Sequence, residues 1–266
     1  MDLTKLPLGD KKYTSTPKIG YIDTCQSSFS GGGAGSKGPW FNADGTTWNG
    51  TTKQKVSGSV HWTSSFNMTV DGDQRNVTMN DLPSTPTGTF PISASDPVYA
   101  YDKNPNSIQS QDYTFSVPAN PTVADTPTCI HGEVGFVLVG AALFDGFDAG
   151  GRDAAAWEAQ DACGGHPMMT GGYHFHSLSP CLSDPGTGQS ALLGYALDGF
   201  GIYGPRGADG KELTDADLDA CHGTTSAVPW NGKTVVMYHY VFTREFPYSV
   251  GCFKGTPEVT GITNPH

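Results

Sequence analysis

The chain has 266 residues, a formal charge of −11 and a pI near 4.9, so no basic field exists to track phosphates. Nucleic acids and anionic membrane surfaces are therefore excluded as partners, and no apolar run of about 18 residues offers a membrane span. A hydrophobic fraction of 36% is low, yet 13 Phe, 11 Tyr and 5 Trp argue for a packed core. With 35 Gly and 19 Pro, short strands joined by turns are expected rather than long helices.

The opening Met1-Asp2-Leu3-Thr4-Lys5 lacks the apolar core of a signal peptide. Six cysteines (Cys25, Cys129, Cys163, Cys181, Cys221, Cys252) are an even set with no CxxC spacing, which suits disulfides better than a zinc or redox motif. The expectation is a secreted or periplasmic mature chain whose leader has been replaced by Met. Sequons at Asn49, Asn67 and Asn76 add mild support.

In chain order, Ser30 to Ser36 reads as a Gly-rich loop. Alternation from Val56 to Trp62 predicts a strand, as do Phe66 to Val70, Val98 to Tyr101 and Tyr113 to Val117, with a turn at Asp71-Gly72-Asp73. The Pro-rich stretch 118–127 reads as a connector. Gly135 to Leu143 is almost wholly apolar, the pattern of one strand buried on both faces. Two regions are expected: an N-terminal β region over 1–125, and a region over 126–266 against which it packs as one integrated domain.

The C-terminal half carries an imperfect internal duplication. ALFDGFDAGG (142–151), EAQDACGGH (158–166), YHFH (173–176) and Cys181 recur in order as YALDGFGIYGP (195–205), ADLDACHG (216–223), YHYV (238–241) and Cys252. Such order with unequal loops predicts two units related by a pseudo-two-fold. Each has a short helix candidate: Asp153 to Cys163, and a turn capped by Thr214, both read as running up to a cysteine. The duplication singles out Cys163–Cys181 and Cys221–Cys252, leaving Cys25–Cys129. The fold class is thus mainly β, many short antiparallel strands with a few short helices, stapled by disulfides.

Tyr173-His174-Phe175-His176 lies between Gly171-Gly172 and a Ser-Pro turn. Residues two apart on a strand share a face, which puts two imidazoles roughly 6–7 Å apart at their Cα atoms, within reach of one ion. His166 lies close upstream, and the second unit supplies His239 where the first has His174. Side-by-side histidine strands would make His174, His176 and His239 a three-imidazole site, with His166 and His131 as further ligand candidates. Copper or zinc is the expected ion, copper being preferred while no carboxylate joins the set. The competing account is packing: buried histidines bonded to carbonyls. Asp145 and Asp198, in the Asp-Gly-Phe turns, and Tyr173 are the candidates for proton handling, although Asp-Gly is also ordinary turn chemistry. His222 reads as a helix C-terminal residue favoured by the dipole, His61 as solvent-facing and His266 as terminal.

These strings, with Thr87-Gly88-Thr89-Phe90-Pro91 and Asn104-Pro105-Asn106 upstream, resemble the YHYH domain family over roughly residues 80–255. The resemblance implies an extracytoplasmic protein of bacteria or microbial eukaryotes and brings no particular reaction with it. Two departures stand out: Phe175 replaces the second Tyr of the first motif, and Val241 the last His of the second. The second favours an asymmetric site built on the first motif. Three functions follow: a secreted metal-binding protein, a metal-dependent hydrolase or copper oxidoreductase using the same site, and a metal-free adhesion or carbohydrate-binding module with an extracellular small molecule or polysaccharide as partner.

Overall fold

The computed structural model describes residues 1–29 and 31–259. Strands and isolated bridges make up 31% of the described residues and helix 4%, which sets the class as mainly β. Two-residue strands β1 (Leu6–Pro7), β2 (Tyr13–Thr14), β3 (Ile22–Asp23) and β4 (Thr47–Trp48) form the pairs β1–β4 and β2–β3. A three-stranded antiparallel sheet follows in the order β5 (Phe66–Asp71), β6 (Gln74–Met79), β7 (Tyr113–Pro118). The remaining strands are β8 (Glu133–Val137), β9 (Ala141–Phe144), β10 (Gly165–Pro167), β11 (Tyr173–Phe175), β12 (Leu192–Ala196), β13 (Gly201–Tyr203), β14 (Gly223–Trp230) and β15 (Lys233–Val241). They form one eight-stranded sheet ordered β10-β11-β9-β8-β12-β13-β15-β14.

That order reads alike outward from its centre. The central β8–β12 pair is antiparallel. On each side come an antiparallel hairpin (β8–β9, β12–β13), a parallel step (β9–β11, β13–β15) and an antiparallel edge pair (β10–β11, β14–β15). The histidine strands β11 and β15 hold corresponding places, whereas the two Asp-Gly-Phe turns do not, one following β9 and the other joining β12 to β13; His174 and His239 lie five strand steps apart. At the usual spacing of neighbouring strands that is about 24 Å.

The three-stranded sheet packs Val77, Met79, Phe115 and Val117 against Phe136, Tyr195 and Trp230 of the large sheet. The main core joins both halves of the chain, with Leu6, Ile22 and Trp40 packing in one cluster with Tyr173, Tyr240 and Phe246. All three disulfides form as the duplication indicated: Cys25–Cys129, Cys163–Cys181 and Cys221–Cys252.

Several expectations are corrected. Val56 to Trp62 is no strand: only Val56 and Val60 make single bridges, to Asp161 and Thr87. Val98 to Tyr101 is largely a 3-10 turn (Pro97–Ala100), because Asp96 caps it by accepting the Val98 N–H. The apolar run at 135–143 is two strands, not one; Gly140 takes φ +84° and lets the chain reverse. The helix expected up to Cys163 is one turn, α1 (Ala154–Trp157), capped by Asp153. It stops where Glu158 turns extended. Thr214 does cap a 3-10 turn over Asp215–Asp217, which ends well before Cys221.

Cys25–Cys129 closes the longest loop, with a sequence separation of 104. Constraint of the unfolded chain grows with loop length. The Cys25→Ala, Cys129→Ala double variant is expected to lose about 2–5 kcal/mol in denaturant unfolding.

Asp153 is fully buried and accepts from Gly9 N (2.8 Å), Ala156 N (3.2 Å) and the Tyr248 hydroxyl (2.8 Å). Burial nevertheless raises its pKa from 3.8 to about 6. Below pH 3.8 both folded and unfolded chains carry the proton. Between 3.8 and about 6 the unfolded chain loses it first, so this carboxyl lowers stability as pH rises and adds no further change above 6. The Asp153→Asn variant lacks that slope. Its stability relative to the parent should improve by about 3 kcal/mol from acid to neutral pH, read from urea melts at each end.

Candidate metal centre

The edge hairpin β10–β11 builds the centre. Its register sets His166 opposite His174, and strand alternation turns His174 and His176 to one face and Tyr173 and Phe175 to the other. Asp161 pins the register. Its Oδ1 accepts from Cys163 N (2.9 Å) and Gly165 N (3.3 Å), and its Oδ2 from Gly88 N and the Tyr173 hydroxyl, both at 2.8 Å. Tyr173 lies across Gly165 so closely that a Cβ there would sit 2.4 Å from its ring, which is why the position is glycine.

His166, His174 and His176 are buried, and their candidate ligand atoms all lie within 4.8 Å of one another. Nε2 of His174 is 3.0 Å from Nε2 of His176. On the far edge of each ring, Nδ1 faces a carbonyl: Asp145 O at 2.5 Å from His176 and Gly172 O at 3.5 Å from His174. A carbonyl only accepts, so the short contact to Asp145 O assigns the His176 proton to Nδ1 and leaves its Nε2 an acceptor facing Nε2 of His174. The Phe144 ring, 4.3 Å from that of His174, holds the pair from behind.

Glu158 completes the set, and sequence reasoning missed it. Its Oε2 is 3.3 Å from Nε2 of His166 and 3.4 Å from Nε2 of His176. Glu158 Oε2 and His166 Nε2 are buried with no hydrogen-bond partner. Three anchors fix the backbone here: Glu158 N donates to Ala154 O, Ala159 N to Asp102 Oδ2 (2.7 Å), and the buried Lys53 ammonium to the carbonyls of Ala155 and Glu158. The only hint in the sequence was Glu158 at the head of the EAQDACGGH string, where a lone Glu eight residues from His166 looks like a surface residue.

Burial, with the charges of Asp148 and Asp102, pushes the Glu158 carboxyl well above its ordinary range. Burial likewise drives His166 well below 6.5, with help from His174, and lowers His176 to about 4. His166 and His176 are thereby held in the neutral form in which an imidazole ligates a metal. The four groups form part of the wall of a cavity of ≈ 900 Å³ that Phe29, Tyr101 and Asn104 also line.

The other candidates lie elsewhere. His239 is excluded from the cluster by the five strand steps; it contacts the Tyr203 ring and Met237 O, and its cross-strand partner is Thr224. His131 is exposed and lines the cavity outside the cluster. Asp145 acts as a turn residue through its carboxylate, accepting from Gly132 N and Phe147 N, while its carbonyl orients His176. Asp198 serves the second unit, accepting from Tyr240 OH (2.6 Å), Gly255 N and Phe200 N, and does not face the histidines. Tyr173 points away from them, to Asp161. His222 is no helix terminus: it takes φ +71°, is buried, and contacts Thr243 Oγ1 (3.0 Å) and Asp215 Oδ1 (3.3 Å). His61 is exposed, and His266 lies outside the described residues.

What these elements define is a disulfide-stapled β protein with a buried cluster of three histidines and a glutamate. Residues 114–214, from β7 to the Thr214 cap, match the model of the family described as YHYH protein, which supports the resemblance read in the sequence. No curated protein and no solved structure matches the chain. Three disulfides and no free cysteine agree with the extracytoplasmic setting of that family. Among the described residues, no helix is long and apolar enough to cross a membrane.

Because Tyr173 serves Asp161 and not the cluster, Tyr173→Phe should cost about 1–3 kcal/mol of stability by removing one donor from a buried carboxylate. Any metal affinity should stay within about twofold, and calorimetric unfolding alongside metal titration checks both.

Proposed function

We propose that the chain is a secreted or periplasmic metal-binding protein whose ion sits among His166, His174, His176 and Glu158. The observation that carries this reading is three buried imidazoles whose ligand atoms all lie within 4.8 Å of one another, with Glu158 Oε2 3.3 and 3.4 Å from two of them. Ligand nitrogens about 2.0–2.1 Å from one ion stand roughly 3.3–4.2 Å from each other, so the cluster closes on an ion by small side-chain rotations. Three imidazoles and a carboxylate suit a first-row divalent ion, zinc or copper. Glu158 removes the ground on which copper was preferred from the histidines alone.

The cavity favours a second reading built on the same centre, a metal-dependent enzyme. An ion with an open position would supply Lewis acidity there, while Glu158, a buried carboxyl beside it, could hold a proton. A metal-free module relying on exposed aromatics has less support: among the described residues, Tyr13 is the sole aromatic in the exposed class.

Elemental analysis of protein secreted from cells and purified without a metal column tests the proposal. About one equivalent of zinc or copper is expected, lost in His174→Ala, His176→Ala and reduced at least tenfold in affinity by Glu158→Gln. Metal-free protein that also fails to take up either ion on titration would sink it.

A further inference from the structure

We propose that Met168 is a thioether ligand for copper(I) at the mouth of the histidine cluster, which makes this a copper site rather than a zinc site. The inference rests on the metal-binding reading and deepens it. Met168 follows His166 by two residues. Its N–H donates to Gly172 O at 2.9 Å, so the antiparallel pairing of β10 with β11 runs on through position 168. Strand alternation therefore sends Met168 to the face that His166 uses, and it lines the same cavity as His166, His174 and His176.

The placement is not that of a packing methionine. Met79 illustrates that role, 4% exposed and inside a core cluster. Met168 is half-buried and belongs to none of the core clusters, and its neighbour Met169 is 88% exposed. Two consecutive thioethers thus occupy the turn that joins the two ligand strands, one facing the cavity and one facing solvent. A thioether is a soft, uncharged donor that selects copper(I) and binds zinc poorly, whereas imidazole serves both. Adding Met168 to the imidazoles shifts the preference of the centre to copper(I). The ion is bound in the state in which it is supplied, with no electron transfer.

Copper(I) affinity, measured anaerobically by competition with bicinchoninate, separates this from a generic histidine site. Leu has nearly the volume of Met and keeps the turn apolar. Met168→Leu should weaken copper(I) binding about tenfold or more while zinc affinity stays within about twofold, and Met169→Leu should change neither. The zinc titration and the melting temperature confirm that the hairpin still folds. Copper(I) affinity unchanged in Met168→Leu overturns the inference, as does an equal loss in Met169→Leu. If His174→Ala, His176→Ala abolishes zinc and copper(I) binding while Met168→Leu does nothing, the histidine centre stands and Met168 is removed from it.

Discussion

A buried carboxylate that gathers backbone N–H groups and one tyrosine hydroxyl is the constraint on which the rest of this structure depends. Asp161 draws Cys163 N, Gly165 N, Gly88 N and Tyr173 OH onto a single side chain. Asp219 does the same with Cys221 N (3.0 Å), Gly223 N (3.1 Å) and Tyr238 OH (3.0 Å). Each aspartate so joins the start of an edge strand, a disulfide cysteine and the tyrosine of the facing strand. Burying such a group without its donors would be costly, so the hairpin forms in the one register that supplies them. Because that register is one in which alternate residues share a face, fixing Tyr173 against Asp161 also turns His174 and His176 the other way.

The same scaffold bears chemistry on one side only. Counting three residues on from each cysteine gives His166 after Cys163 and Thr224 after Cys221, and these stand opposite His174 and His239. Val241 stands where the first unit has His176. The second unit keeps the aspartate, the tyrosine and the disulfide but holds one imidazole where the first holds three. Its conserved architecture is carried by tyrosine–aspartate bonds, including Tyr240 to Asp198, a contact the first unit cannot make with Phe175.

Charge neutrality explains how the first unit tolerates four polar groups in its interior. Burial holds His166 and His176 neutral and disfavours charge on Glu158, which limits the desolvation cost of these groups. Lys53 sits close enough to shape the Glu158 loop through carbonyls, yet its hydrogen bonds go to no carboxylate, which leaves Glu158 available to the histidines.

Short-range chemistry was legible in the sequence: the β class from turn residues, β5 and β7 from alternation, and the three disulfides from the repeated order of motifs. The face shared by His174 and His176 followed from strand periodicity alone. Misreadings arose wherever a local pattern met a tertiary alternative. Val98 to Tyr101 has strand residues but a capping aspartate before it, and the apolar run at 135–143 hides a reversal that only the φ of Gly140 reveals. The hairpin β14–β15 had a readable Asn231-Gly232 turn that went unused. The composition of the site was the part that sequence periodicity could not reach. His239 and Glu158 are equally plausible neighbours of the histidine strand on paper, and sheet order decides between them by setting four strands in front of one and folding the end of α1 over the centre with the other. Strand alternation is a property of adjacent residues and is written in the chain; which strands become neighbours depends on the free energy of the whole packed sheet, and only the tertiary structure settles it.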